Sequence, residues 1–474
     1  MKREIRADFA VIGAGSGGLS VAAGAAQLGQ KVVLFEKGEM GGDCLNVGCV
    51  PSKALLAAAH AAHGVRTAAR FGVRADPPQI DFPAVMAHVR RAIDAIAPHD
   101  SQARFESLGV TVVRETAGFV DSRTVESAST RVIADRIVVA TGSRPAVPPI
   151  PGLDATPYLT NESVWDLEVL PRRLLVLGGG PIGVELGQAF RRLGSEVVVV
   201  EASEVLAKED PDLRQVVLDA LVAEGLELRT GVSAESAAPT ADGVSLTLKG
   251  GERLEGSHLL VAAGRTLNLD GLNLEAAGVD HDPKRGIKTD GALRTSNRRV
   301  FAVGDVTGRP AFTHAAGAHA ALVIRKTLFA QRADADKLPI PRVTYTDPPL
   351  AAVGLSEAEA REQHGDRVRV VTSPFERNDR AQAEGETAGF AKLIADKRGR
   401  ILGVGLVGAG ADELIHPWVL ALSHGVGLRK LASGWVPPYP TRGDINRALG
   451  SAWYSPVLFS DRTRRLVSLL KHFG

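Results

Sequence analysis

Apolar and polar positions along the chain switch between a strand-like and a helix-like rhythm, and the switching repeats. The run "FAVIGAG" (9–15) is continuously apolar, as a strand buried on both faces must be. A glycine turn, a helix-period stretch, another glycine and the apolar run "VVLFE" follow, which predicts a strand–helix–strand unit over 9–38. The same features return in the same order in "LLVLGGGPIGVELGQAFRRLGSEVVVVEAS" (174–203). Gly13 and Gly178, Gly18 and Gly183, Gly29 and Gly194, and Glu36 and Glu201 each lie 165 residues apart. Further on, "RIVVATGSRP" (136–145) reads as a strand ending in a glycine turn, and "VFAVGD" as a buried strand after a polar connection. From residue 338 the pattern changes. Short β-rich runs such as "RVRVVTSPF" and "GFAKLIADKRGRILGVGLVG" predict an antiparallel sheet, with helices such as "ADELIHPWVLALSHG" packed on it.

Both repeats carry G-x-G-x-x-G between strand and helix: Gly13, Gly15 and Gly18, then Gly178, Gly180 and Gly183. The first glycine permits the tight turn, the second lets a pyrophosphate approach the backbone, and the third lets helix and strand pack closely. The phosphates then meet unpaired N–H groups at a helix N-terminus. Glu36 and Glu201 close the second strand of each repeat, where a carboxylate accepts hydrogen bonds from ribose hydroxyls. A carboxylate there repels a 2′-phosphate, so Glu201 predicts NADH over NADPH. The expected class is α/β, with two Rossmann-like dinucleotide-binding domains and a C-terminal α+β domain.

Composition narrows this only by exclusion. Hydrophobic residues make up 45% and charged residues 23% of the 474, an ordinary globular balance. A net charge of +2 gives no reason to expect a nucleic-acid partner. The start "MKREIRADFAVIGAG" runs directly into a buried-strand pattern, so no signal peptide is expected. No apolar stretch approaches the roughly 18–20 residues of a membrane span. Two cysteines are too few for a secreted disulfide scaffold, which points to a reducing cytoplasm.

Both cysteines fall in "GGDCLNVGCVPSK" (41–53). Five residues of undistorted helix separate Cα atoms by about 7.5 Å along the axis, beyond the roughly 7 Å limit for a disulfide. Gly48 lies between the two and Pro51 suits a first helical turn, so the expectation is a loop or distorted turn carrying Cys44 and a helix starting near Cys49. That end of a helix, with Lys53 nearby, lowers the Cys49 thiol pKa. His60 and His63 extend the spacing to C-x4-C-x10-H-x2-H, which fits no common zinc pattern. A redox pair, a structural zinc site and an inert pair are the three readings at this point.

"GGDCLNVGCVPSK", "VVATGSRP", "GGGPIGVELG", "VAAGRTLN" and "VFAVGD" together resemble the FAD-dependent pyridine nucleotide–disulfide oxidoreductases, which include dihydrolipoamide dehydrogenase, glutathione reductase and mercuric reductase. The resemblance covers nearly the whole chain and implies an FAD-binding domain over 1–150 and 272–337, a nicotinamide-binding domain over 151–271, and a dimerisation domain over 338–474. It implies that Gly13, Gly15, Gly18, Glu36, Lys37, Gly42, Lys53, Gly118, Thr141, Gly142, Ser143 and Asp305 serve FAD, and that Gly178, Gly180, Gly183, Glu201, Val232 and Gly264 serve NAD. Lys53 and Glu185 match an ion pair beside the flavin; as a first-turn acid, Glu185 would also complement its helix dipole. Electrons would pass from NADH through FAD into a Cys44–Cys49 disulfide, with Cys49 against the flavin and Cys44, the more accessible thiol, meeting the acceptor. No resident metal is expected.

The chain departs from the family near its end. Disulfide-exchanging members carry His-Pro-Thr-x-x-Glu there, reaching the active site of the other subunit of a homodimer. This chain reads "VPPYPTRGDIN", with Tyr439 at the His position and Asp444 at the Glu position. A phenol of pKa about 10 exchanges protons with thiolates poorly at neutral pH, so turnover of lipoamide or glutathione is expected to be slow. Mercuric reductases also place Tyr here, which favours a metal-ion acceptor, yet their C-terminal cysteine pair is missing from "RTRRLVSLLKHFG". A lipoyl or other disulfide acceptor, and a slow redox-sensing flavoprotein, are the alternatives. The tail itself sets Leu466, Leu469, Leu470 and Phe473 at helical spacing among Arg462, Arg464, Arg465 and Lys471. Packing against the dimer is the plainer account of that stripe, and contact with an anionic membrane surface the other.

Overall fold

The computed structural model describes residues 2–472, so Phe473 of the apolar stripe lies outside the described residues. Contacts divide the chain into two units, Met1–Glu204 with Leu226–Leu338, and Val205–Gly225 with Pro339–Gly474.

The first unit opens with β1 (Arg3–Ile12), α1 (Ser16–Gln27) and β2 (Val32–Phe35), the predicted strand–helix–strand unit. The cysteine segment follows as a short α2 (Gly42–Asn46) and a long α3 (Cys49–Thr67), then α4 (Phe82–Asp100). Strands β3 (Thr111–Val113), β4 (Gly118–Asp121), β5 (Thr124–Glu126) and β6 (Thr130–Val139) complete the first half. The second repeat is β7 (Arg173–Leu177), α5 (Pro181–Leu193) and β8 (Glu196–Glu201). The chain leaves this unit through α6 (Pro211–Ala223) and re-enters it at β9 (Glu227–Thr230). An antiparallel meander over 234–256 precedes β10 (His258–Val261), β11 (Val300–Ala302) and α7 (Thr313–Leu328).

A seven-stranded sheet runs β3-β2-β1-β6-β5-β4, with β11 also beside β6; β3, β2, β1, β6 and β11 pair in parallel. A four-stranded parallel sheet runs β9-β8-β7-β10. Parallel sheets bury both faces, and β2 accordingly has every residue buried, while Val197–Val200 of β8 form one apolar run. Residues of β1 and β6 alternate between two apolar clusters, one holding Ile5, Ala10 and Val139, the other Phe9, Val11 and Val138.

The second unit contains α6 and an antiparallel sheet. Its later elements are β12 (Arg342–Thr344), β13 (Leu350–Gly354), α8 (Glu357–His364), β14 (Val368–Pro374), α9 (Asp379–Glu384), β15 (Phe390–Asp396), β16 (Ile401–Val407), α10 (His416–Ser423), α11 (Asp444–Leu458) and α12 (Asp461–Leu470). The strand order is β12-β13-β16-β15-β14. Segment 205–225, expected within the nicotinamide-binding domain, groups with this unit. The reason is a buried charge cluster: the Lys392 ammonium on β15 lies 3.0 Å from both Asp210 oxygens and 2.8 Å from Asp212 and Glu357. Among the described residues no helix is long and apolar enough to cross a membrane.

Candidate functional site

The two glycine turns are built alike. Gly13 sits at φ +104° and Gly178 at +114°, conformations that favour glycine. A Cβ on Gly18 would fall 1.8 Å from the Gly13 carbonyl oxygen, and one on Gly183 would fall 2.0 Å from that of Gly178. Both third glycines are therefore required by packing alone. Gly15 and Gly180 cap α1 and α5 without a side-chain hydrogen bond, and neither has any atom within 4 Å of where a Cβ would project. Each turn thus presents an open backbone cradle at a helix N-terminus, which fits a pyrophosphate. The acids repeat the symmetry. Glu36 Oε2 accepts from Ala14 N–H at 2.6 Å and Oε1 from Gly38 N–H at 2.7 Å. Glu201 accepts from Gly179 N–H at 2.8 Å and from Ser203 N–H at 2.9 Å. Burial opposes ionisation of Glu201, but the Gly179 and Ser203 donors outweigh it and hold the pKa below the usual carboxylate value.

The cysteine segment breaks where Gly48 was expected to break it. Cys44 lies inside α2, which packs on α3 and α4, and Cys49 is the first residue of α3. Both are free thiols, hydrogen-bonded to one another. The Cys44 S–H group is the leading influence that lowers the Cys49 pKa to about 6; burial opposes it, while the Thr313 hydroxyl and the Lys53 charge assist. Sequence reasoning had named Lys53 and the helix end and missed the partner thiol. Holding that hydrogen bond in a partly buried place pushes the Cys44 pKa up. In the polypeptide alone Cys49 is exposed and Cys44 partly exposed.

Around the thiols stand several anticipated residues and some that were not. Lys53 Nζ donates to Glu185 Oε2 at 2.8 Å across 132 residues. Glu185 is the fifth residue of α5, one turn in, so it is not the first-turn acid expected. Ser143 Oγ donates to Asp305 Oδ2 at 2.5 Å, and Arg265 donates to Ser143 Oγ at 2.7 Å while its other nitrogen lies 3.3 Å from Asp43. Arg265 and Asp43 thereby tie the Asp305 corner to the cysteine helix. Thr313, at the start of α7, places Oγ1 3.4 Å from Cys49 Sγ. Arg265 stands in the recognised run "VAAGRTLN" and Asp43 in the cysteine motif; Thr313 had no signal beyond opening a helix-period stretch. His319, two turns along α7, is 2% exposed and accepts from Gly304 N–H through Nδ1 at 3.2 Å.

The remaining candidates distribute as follows. Thr141 donates to the Asn268 carbonyl at 2.7 Å and Gly142 turns the chain at φ +65°. A Cβ on Gly42 would fall 2.8 Å from Gly15 Cα, which keeps the cysteine loop against the first cradle. Lys37 is exposed beside Glu36. Val232 donates its N–H to the Glu201 carbonyl, and Gly264 has φ +136°. Gly118 opens β4 with its missing Cβ facing the Gly271 carbonyl oxygen at 2.5 Å, which is a packing reason for glycine there. His60 is exposed on α3, and among the described residues no three His, Cys, Asp or Glu side chains gather as a metal site. In the second unit the Tyr439 hydroxyl, on an exposed side chain, donates to Asp379 Oδ2 at 2.9 Å, while Asp444 accepts from Arg447 at 3.2 Å. Tyr439 and Asp444 therefore form no pair with each other, and the Asp379 hydrogen bond raises the phenol pKa.

Comparison with known proteins agrees with this geometry. The family profile described as pyridine nucleotide-disulphide oxidoreductase matches residues 7–320, and the dimerisation-domain profile of the same family matches 340–447. A mercuric reductase of Streptomyces lividans is 36% identical over 460 residues, covering 95% of this chain and 97% of its own length. A dihydrolipoyl dehydrogenase of Chlamydia muridarum is 36% identical over 422 residues, 88% of this chain and 90% of its own. Among solved structures, LpdA of Mycobacterium tuberculosis superposes with TM-score 0.87 at 26% identity, over 94% of this chain and 98% of its own. The Cu(II) complex of the HOCl-induced flavoprotein disulfide reductase RclA of Escherichia coli gives 0.84 at 26%, over 94% and 99%. With two cradles, a thiol pair at a helix break and a C-terminal dimerisation domain that supports a homodimer, the chain belongs to the FAD- and NAD(P)H-dependent pyridine nucleotide–disulphide oxidoreductase family.

Proposed function

We propose that this protein is a cytoplasmic, homodimeric oxidoreductase that takes two electrons from NADH and delivers them through Cys44 and Cys49 to a metal-ion or disulfide acceptor. The observation that carries the reading is the thiol pair across the helix break, Cys44 in α2 and Cys49 opening α3 with Thr313 Oγ1 3.4 Å from its sulfur, an arrangement that favours the Cys49 thiolate. FAD, when bound in the first cradle, supplies the two-electron relay between nicotinamide and sulfur. Gly13, Gly15, Gly18 and Glu36 would hold it together with Asp305, Ser143 and Thr141, and Lys53 of the Lys53–Glu185 pair acts on the Cys49 thiol. The second cradle and the ionised Glu201 take NADH; the anionic carboxylate disfavours a 2′-phosphate. In the oxidised state the two sulfurs share one disulfide bond. Two electrons and two protons open it to thiols; as the bond re-forms the pair returns two electrons to the acceptor, and its two protons go to a disulfide acceptor or, with a metal ion, to solvent.

A metal ion is the favoured acceptor for two reasons. Its reduction requires no proton donor, and the Asp379 bond leaves Tyr439 a poorer acid than an ordinary phenol. A lipoyl or other disulfide is the second reading, supported by the dihydrolipoyl dehydrogenase relative. The test is an anaerobic panel of Hg²⁺, Cu²⁺, lipoamide and oxidised glutathione, run with NADH and with NADPH. Turnover of at least about 1 s⁻¹ with a metal ion is expected. Lipoamide as the fastest acceptor would replace the first reading with the second, and no turnover with any acceptor would leave a sensor rather than an enzyme.

A further inference from the structure

The C-terminal helix α12 takes no part in the chemistry above. None of its residues is buried, and Leu466, Val467, Leu469 and Leu470 all stay exposed. It is nonetheless a formed helix, started by Ser460, whose hydroxyl accepts from Thr463 N–H at 3.3 Å. At 100° per residue Leu466, Leu469 and Leu470 share one face. With Val467 included, Arg464 and Lys471 fall along one border of that face and Arg465 along the other, while Arg462 lies in line with it one turn before Leu466. The apolar surface continues backward through the exposed Val457, Leu458 and Phe459. Over 461–472 there are four basic side chains against one acid, Asp461, which lies 3.7 Å from Arg464.

An apolar stripe bordered on both sides by long cationic side chains suits the boundary of an anionic lipid layer. There the leucines enter the acyl region while the basic heads stay at the phosphates. A second copy of the chain fits less well. A two-fold pairing of this helix with itself sets like charges opposite each other. The dimerisation-domain profile also ends at residue 447, before α12 begins.

We propose that α12, with Val457–Phe459, docks the protein on the surface of an anionic phospholipid bilayer. The docking is independent of which acceptor the thiols serve. The test is co-sedimentation of the FAD-loaded full chain with vesicles of phosphatidylcholine alone or of phosphatidylcholine with phosphatidylglycerol. Binding is expected only to the anionic vesicles, and it should be lost at high salt. Each basic side chain near such a surface contributes about fivefold, so R464E/R465E should bind at least about 25-fold more weakly. L466E/L470E should abolish binding. Because no α12 residue is buried, both variants should keep the flavin content and unfolding temperature of the parent. Equal binding to neutral vesicles, no binding to either, or unchanged binding by L466E/L470E would overturn the proposal. So would a shift from dimer to monomer on sedimentation of L466E/L470E, since the stripe would then join two copies.

Discussion

Replacing Cys44 with alanine removes the S–H group that does most to hold the Cys49 thiolate. With a pKa of about 6 in place of the ordinary 9.0, Cys49 is about 90% ionised at pH 7, against about 1% for an unassisted thiol. Thr313 and Lys53 remain in Cys44→Ala, so the pKa should rise by one to two units, to roughly 7–8, and not return fully to 9.0. The assay is the pH profile of iodoacetamide alkylation on reduced protein, followed by peptide mass. Only two cysteines exist, so the variant reports Cys49 alone, and in the parent the raised Cys44 pKa makes Cys49 react first. The inflection, and not the rate at one pH, is the readout, because a more basic thiolate is also more nucleophilic and offsets part of its lower abundance. Thr313→Val should move the inflection up by less. An inflection still near 6 in Cys44→Ala would show that Lys53 and the helix end alone set the thiolate, and the partner-thiol argument would fail.

Two glycines of the first cradle should behave differently: Gly18→Ala should fail to fold, while Gly15→Ala should leave the apoprotein's unfolding unchanged and weaken FAD binding at least about tenfold, read by flavin fluorescence titration. Lys392→Met strands Asp210 among carboxylates and should cost about 3–5 kcal/mol in denaturant unfolding; a loss under about 1 kcal/mol would remove the cluster from the account. Burial first, then the Arg309 charge, depresses the His319 pKa to about 4, with Asp305 opposing. Between pH 4 and 6.5 the unfolded chain therefore binds the proton that the folded chain refuses, and stability should fall by about 3 kcal/mol as pH drops through that window. His319→Gln should flatten that part of the profile, and an unchanged slope would refute the assignment.

The repeated units were legible because their physics is local. Gly18 and Gly183 are dictated by a carbonyl oxygen five residues back, and Glu36 and Glu201 by a backbone donor 22 residues back in the glycine turn of the same unit, so each leaves a fixed spacing in the sequence. The break between the cysteines was equally local, set by Gly48. What was hidden depends on contacts across the chain. Thr313 reaches Cys49 over 264 residues, and Arg265, opening a short strand paired with 143–145, joins Asp43 to Ser143 over more than a hundred residues. Asp379 captures the Tyr439 hydroxyl from 60 residues away, where the family pattern directed attention to Asp444. Likewise α6 groups with the second unit because Lys392 draws in Asp210 and Asp212, which no pattern in 205–225 announces.

The central claim is that nicotinamide electrons open a bond between the only two sulfurs of the cysteine type. Counting alkylatable thiols in the oxidised, FAD-loaded protein under denaturing, anaerobic conditions, before and after NADH, tests it directly. The account predicts none before and two per chain after, with one in Cys44→Ser whether or not NADH is added. Two thiols before NADH, or none after it, would contradict it.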